Sequence, residues 1–102
     1  MNDALYEDYD DIIAPNLCDD AYATQYLNMA LEDSDPRHFL LALQRVAKAR
    51  EINMTKMASQ ANMTRQGLYQ ALSEKGNPEW ATLSSLIDMM GYQFSLQPKK
   101  AG

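Results

Sequence analysis

The stretch that most restricts this chain is QANMTRQGLYQAL, Gln60–Leu72, because it interrupts a helical pattern and restarts it within a few residues. Asn62 tolerates a positive φ at modest cost, so a helix can stop and turn there. Two residues on, the Thr64 hydroxyl can accept from an orphan N–H and begin another helix. The spacing predicts two short helices, about Thr55–Ala61 and Arg65–Ser73, joined by a tight turn. Met57 and Ala58 of the first, with Leu68 and Leu72 of the second, fall on inward faces.

The flanking segments are helical too. Ala23, Tyr26, Leu27, Ala30 and Leu31 keep helical spacing, with Asp19 or Asp20 as N-cap. DSDPR then closes that helix and opens another, with Asp35 as N-cap and Pro36 at the first helical position. This helix buries Phe39, Leu40, Leu43, Val46 and Ala47, turns Arg45, Lys48 and Arg50 outward, and runs to about Glu51. After the EKGNP loop, a last helix from about Ala81 to Met90 carries Leu83, Leu86, Ile87 and Met90 on one face. Gly91 suits its C-terminal end.

Two segments break the helical rule or stand apart from it. YQFSLQ alternates Tyr92, Phe94 and Leu96 with Gln93, Ser95 and Gln97, which is strand spacing. A lone strand needs a partner for its backbone groups. A second copy of the chain is the simplest one, giving a two-stranded ribbon across a dimer axis; Ile12 or Ile13 offers an internal alternative. At the other end, Leu5, Tyr9, Ile12 and Ile13 make a short stripe that Pro15 and Asn16 terminate.

Charge is segregated along the chain. Its 102 residues carry a formal net charge of −5 and a hydrophobic content of 46%. Residues 1–36 hold ten acidic side chains and no Lys or Arg, while residues 37–102 hold nine basic against four acidic, a balance of +5. An acidic pI therefore does not exclude nucleic acid, and two surfaces of opposite sign suggest two kinds of partner. The organisation expected is an acidic segment at 1–20, a helical domain at 21–97 and a flexible tail at 98–102.

Other chemistries fail on inventory. Cys18 and His38 are each the only one of their kind, so no disulfide framework, zinc site or nucleophile–base pair can be assembled. Adjacent carboxylates such as Asp10–Asp11 and Asp19–Asp20 diverge on a helix rather than converge on a substrate. No phosphate-cradling glycine loop is present, and the methionines read as core filling. Neither an enzyme, a metal nor a cofactor is expected. No apolar run approaches the ~18 residues of a membrane span. MNDALYEDYDD lacks the features of a secretion signal, which points to the cytoplasm.

Met54–Gly91, MTKMASQANMTRQGLYQALSEKGNPEWATLSSLIDMMG, resembles the helix-turn-helix of phage-repressor-like (Xre-type) regulators. Upstream, YLNMALEDSDPRHFLLALQRVAKAR, Tyr26–Arg50, resembles the HigA-type addiction-module antidote proteins. Together they cover residues 26–91. The resemblance implies an all-α domain of five or six helices with the helix-turn-helix at 54–73. It further implies an antitoxin that binds a small RelE/HigB-like ribonuclease and represses its own operon. Two departures stand out: Asn62 replaces a frequent glycine, and Ala81 replaces a frequent Ser or Thr, so that cap weakens or shifts to Thr82.

In such a motif the second helix enters the major groove with its first residues against base edges. Thr64 then meets a phosphate, while Arg65, Gln66 and Gln70 reach bases. Arg suits guanine O6 and N7, and Gln suits adenine N6 and N7. Gly67 leaves room for close approach, at ~1 kcal/mol of helix propensity relative to alanine. Lys56, Lys75 and Asn77 flank the reader where phosphates would pass. The bland alternative is that these polar side chains are merely solvated.

The acidic segment invites a second role. A ribonuclease groove is basic, and Tyr6, Tyr9, Ile12, Ile13 and Leu17 among seven carboxylates could cover it. The competing readings are that Leu5, Tyr9 and Ile12 pack on the chain's own core, or that the segment is merely disordered. The functional expectation is thus an antitoxin: a homodimer through Tyr92, Phe94 and Leu96 that binds operator DNA and a small basic toxin. Two rivals stand beside it, a stand-alone Xre-family regulator without a toxin and an interaction module that has lost DNA binding.

Overall fold

The computed structural model describes residues 14–100, which form a 3-10 turn, Ala14–Cys18, followed by five α-helices. They are α1 (Asp20–Glu32), α2 (Arg37–Ala49), α3 (Met54–Gln60), α4 (Arg65–Ala71) and α5 (Trp80–Met89). Among the described residues the architecture is all-helical. The expected stripe Leu5–Ile13 lies outside them.

Each start has a local cause. Asp19 caps α1, its Oδ1 accepting from the Ala21 N–H at 3.0 Å. At α2 the start differs from the expected one: Pro36 rather than Asp35 is the N-cap and makes no side-chain cap bond. The helix begins at Arg37, and Asp35 Oδ1 accepts from the Arg37 N–H at 3.0 Å from just ahead of it. Asn53 Oδ1 accepts from Lys56 N–H at 3.0 Å and Thr64 Oγ1 from Gly67 N–H at 2.9 Å, capping α3 and α4. Helix α5 differs. It starts at Trp80 after Glu79 with no side-chain cap, so the hydroxyl cap missing at Ala81 is not recovered at Thr82.

Three of the helices end in the same way. Glu51, Asn62 and Gly91 have φ of 55°, 58° and 88°. In each case the following N–H reaches back to the last turn: Ile52 to Ala47 O at 3.0 Å, Met63 to Ala58 O at 2.8 Å, Tyr92 to Ile87 O at 3.0 Å. This left-handed stop satisfies carbonyls that the helix leaves orphaned. It also throws the next side chain inward, and Ile52, Met63 and Tyr92 all pack against the core. Helix α2 accordingly stops at Ala49, before Glu51.

Leu17, Leu43, Val46, Leu68, Leu72 and Leu86 are fully buried, drawing the 3-10 turn, α2, α4 and α5 onto one core. Helix α2 supplies its centre, with Phe39, Leu40, Ala42, Leu43, Val46 and Ala47 all buried. Arg50, expected outward, is instead a tie. Its Nε donates to Leu17 O at 3.0 Å, its Nη2 to Asp20 Oδ1 at 2.8 Å, and its guanidinium sits 5.9 Å from the Tyr92 ring centroid.

The alternation in residues 92–97 is real, but its consequence differs from a strand. Among the described residues none is in a β-ladder. Tyr92 and Phe94 turn onto their own chain, because the Gly91 stop folds the backbone over α2 and α5. The Phe94 ring lies 6.0 Å from Phe39 and 4.9 Å from Trp80, stacked on the latter. Of the three side chains expected at a dimer interface, only Leu96 is fully open, at 99% exposure.

Candidate nucleic-acid interface

Helix α4 presents its charged and amide side chains on the face opposite its anchors. Leu68 is buried, as is Leu72 just beyond the helix, whereas Arg65, Gln66 and Gln70 are exposed. Seven residues cannot make a stable helix alone, so its orientation must come from tertiary ties. At the front, Thr64 holds the Gly67 N–H and fixes the first turn. Behind it, the half-buried Gln44 of α2 donates its side-chain amide to Tyr69 O at 3.2 Å and Leu72 O at 2.7 Å. Those two carbonyls belong to the end of α4, where no intrahelical donor is left. The helix is thus pinned at both ends.

Local geometry decides what substitution each position accepts. A Cβ on Gly67 would sit 3.0 Å from Thr64 Oγ1, so even a methyl group presses on the capping hydroxyl. Gly76 is tighter still, since a Cβ there would meet the Ala71 carbonyl oxygen at 2.0 Å. The loop carrying Lys75 and Asn77, both exposed, is therefore drawn close against the end of α4 by an absent side chain. Lys56 is exposed on the first turn of α3. The Arg65 guanidinium lies 5.7 Å from the Tyr69 ring centroid, a cation–π contact that limits its wandering.

Between α1 and α2, His38 Nδ1 lies 3.0 Å from Asp33 Oδ2, and Arg37 Nη2 lies 2.9 Å from Asp35 Oδ2. The hydrogen bond that the His38 ring donates to Asp33 raises the His38 pKa above its ordinary 6.5. The Asp35 backbone N–H, followed by His38, lowers Asp33, and hydrogen bonds from Arg37 take Asp35 down to about 2.

Of the residues proposed to cover a partner, Tyr6, Tyr9, Ile12 and Ile13 lie outside the described residues. Leu17 is 1% exposed, so it belongs to the core and not to a contact surface. For Leu17 alone, the apolar spacing that suggested an outward strip reflects packing on the chain's own core. Sequence reasoning passed over Gln44 and Gly76. Gly76 could have been found from its place in a loop; Gln44 gave no signal, since its partners are 25 and 28 residues away.

Residues 7–98 match a protein family described as "Probable addiction module antidote protein". A similar protein of Haemophilus influenzae, itself described as uncharacterized, is 35% identical over 94 residues, covering 92% of this chain and 93% of its own. No solved structure matches the chain. Among the described residues, no helix is long and apolar enough to cross a membrane.

Proposed function

The chain belongs to the family of addiction module antidote proteins, and from that premise we propose that it is a HigA-type antitoxin with an Xre-like helix-turn-helix. It binds its own operator DNA and neutralises a small basic RelE/HigB-like ribonuclease. In this reading α3 and α4 are the two helices of the DNA-binding motif. Helix α4 lies in the major groove, with Thr64 on a phosphate, Arg65, Gln66 and Gln70 at base edges, and Gly67 leaving room for the duplex. Lys56, Lys75 and Asn77 contact flanking phosphates. The protein acts as a homodimer, so its operator is a palindrome with half-sites about one helical turn apart.

One observation carries the DNA-binding reading. A seven-residue helix is fixed at its start by its own cap, Thr64, and at its end by Gln44 of α2, while its polar residues are left open. A merely solvated helix has no need of so firm a mounting. Toxin neutralisation rests on the family and on the acidic front of the chain. Residues 14–36 carry five carboxylates and no Lys or Arg, and Tyr6, Tyr9, Ile12 and Ile13 precede them in the same acidic stretch.

The decisive experiment is a gel-shift titration with the DNA upstream of the gene, comparing wild type with the Arg65→Ala, Gln66→Ala double variant. Loss of the specific complex, with unchanged circular dichroism, supports the reading. Equal affinity would instead favour an interaction module without DNA binding. Co-expression with the small reading frame beside the gene, scored for growth rescue and a co-purifying complex, tests the antitoxin role against a stand-alone regulator.

A further inference from the structure

The described surface carries a mismatched pair of features close together: an apolar groove and an unaccompanied apolar knob. The groove, of ≈ 360 Å³, is walled by Leu31, Pro36, Trp80, Leu83 and Phe94. Trp80 at its edge is 66% exposed and Leu31 47%, both far above what apolar side chains of this size usually leave open together. The knob is Leu96, 99% exposed and two residues after Phe94, which lines the groove. Burial alternates through this segment, Tyr92 and Phe94 inward and Gln93 and Ser95 outward. Leu96 therefore has the parity of the inward residues but none of the described residues beneath it.

The backbone there is equally open. Among the described residues, no hydrogen bond reaches the N–H or C=O groups of residues 93–97. An edge with free backbone groups and one apolar side chain is built for pairing. We propose that the occupant is a second copy of this chain, paired antiparallel about Ser95, with each Leu96 seated in the partner's groove. The register follows from symmetry. With Ser95 on the two-fold axis, Leu96 of one protomer stands directly opposite Phe94 of the other, on the same face of the ribbon. That puts it beside the aromatic stack of Trp80 on Phe94, whose ring centroids are 4.9 Å apart. Knob and hole are then satisfied in both protomers by one operation.

This inference rests on the dimer in the proposed function and changes its chemistry. Tyr92 and Phe94 stay committed to their own core, and the interface gains Leu31, Trp80 and Leu83, which strand spacing does not reveal.

The test is sedimentation equilibrium on wild type, Leu96→Asp and Trp80→Ala from micromolar to near-millimolar concentration, with tryptophan emission read on the same samples. Trp80 is the only tryptophan, so its spectrum reports this groove alone. Wild type is expected to dimerise, with its emission shifting blue as the dimer fills. Leu96→Asp removes two seated leucines per dimer and introduces two unpaired charges, so the dissociation constant should rise at least about a hundredfold. Because Leu96 is 99% exposed and packs on none of the described residues, that variant keeps its helical circular dichroism. A dimer that survives Leu96→Asp with unmoved Trp80 emission overturns the groove while leaving a dimer elsewhere. A wild type that stays monomeric at every concentration overturns both, and assigns the groove to a different protein.

Discussion

The side-chain amide of Gln44 donates to the carbonyl oxygen of Leu72 at 2.7 Å, joining the central helix to the end of the helix that carries Arg65 and Gln66. A second bond from the same nitrogen reaches Tyr69 O at 3.2 Å. Gln44→Leu keeps the volume but strands both carbonyls in a half-buried site. An unsatisfied buried acceptor costs about 1–3 kcal/mol, and we expect urea unfolding to show a loss in that range. DNA affinity should fall as well, since the end of the helix is released. A variant as stable as wild type would mean the two bonds carry no net energy.

The Thr64 hydroxyl holds the other end. Thr64→Ala removes the acceptor for the Gly67 N–H and should cost about 1 kcal/mol of stability, with Thr64→Ser close to wild type. The informative neighbour is Gly67→Ala. Its gain in helix propensity, ~1 kcal/mol, is opposed by the new methyl group 3.0 Å from the Thr64 oxygen. Near-neutral stability in thermal melts is therefore expected, whereas weakened operator binding would identify the glycine as room for the duplex.

How much of this was legible in the residues themselves depends on range. Asp19, Asn62, Thr64 and Gly91 act within a few residues of themselves, and each plays the local part its chemistry suggested. Interactions over longer distances were not legible. Arg50 looked like an outward cation because helical spacing says nothing of the Leu17 carbonyl 33 residues away. Glu51 gave no warning of a left-handed turn, since the residue is a good helix former and only the tertiary return of Ile52 onto the core puts it there. Leu17 shows the same limit from the other side: an amphipathic stripe cannot tell a partner's surface from the chain's own.

The three left-handed stops make a graded series, because one uses glycine and two do not. A side chain in this region costs roughly 1–2 kcal/mol, least for asparagine. Glu51→Gly should therefore stabilise the fold, by about 0.5–1 kcal/mol once the greater freedom of unfolded glycine is subtracted. Asn62→Gly should gain less. Gly91→Ala should lose about 1 kcal/mol or more from the same left-handed penalty, even though, its chain neighbours aside, no atom of the described residues lies within 4 Å of the added methyl. Chemical denaturation of the three variants checks the order.

Tyr92 offers a test of a different kind. Its hydroxyl is buried with no hydrogen-bond partner among the described residues. Such a group adds desolvation cost without compensation, so Tyr92→Phe should leave stability unchanged or raise it by up to about 1 kcal/mol. A clear loss in thermal unfolding would show that the hydroxyl finds a partner in solution.

His38 is the only histidine, so its imidazole protons can be followed alone by NMR. Asp33 hydrogen-bonds the protonated ring and raises its pKa above 6.5. A raised cation contributes stability that is fully present below pH 6.5 and is lost as pH climbs through the folded value. Asp35 works in the opposite direction. Lowered to about 2 by Arg37, it contributes stability above its ordinary 3.8 that is lost as pH falls toward 2. The α1–α2 junction should therefore be firmest between those limits. His38→Gln should abolish the alkaline arm and leave the acid arm intact. An NMR titration midpoint at or below 6.5 would count against the pairing.

Salt dependence separates the two classes of contact proposed for DNA. A phosphate contact releases condensed counterions, whereas a base contact does not, so only the first changes the slope of log K against log salt. With three or four phosphates neutralised per protomer, the dimer should show a slope of roughly −5 to −7. Lys75→Ala removes one such contact from each protomer, and should make the slope less negative by about 2 while weakening all sequences alike. Gln66→Ala should leave the slope in place and lose discrimination at one base pair in each half-site, by about 1–3 kcal/mol. If both variants moved the slope equally and neither altered sequence preference, α4 would be a cationic surface rather than a reader. The assignment of Arg65 and Gln66 to base edges would then fail, while binding through charge would stand.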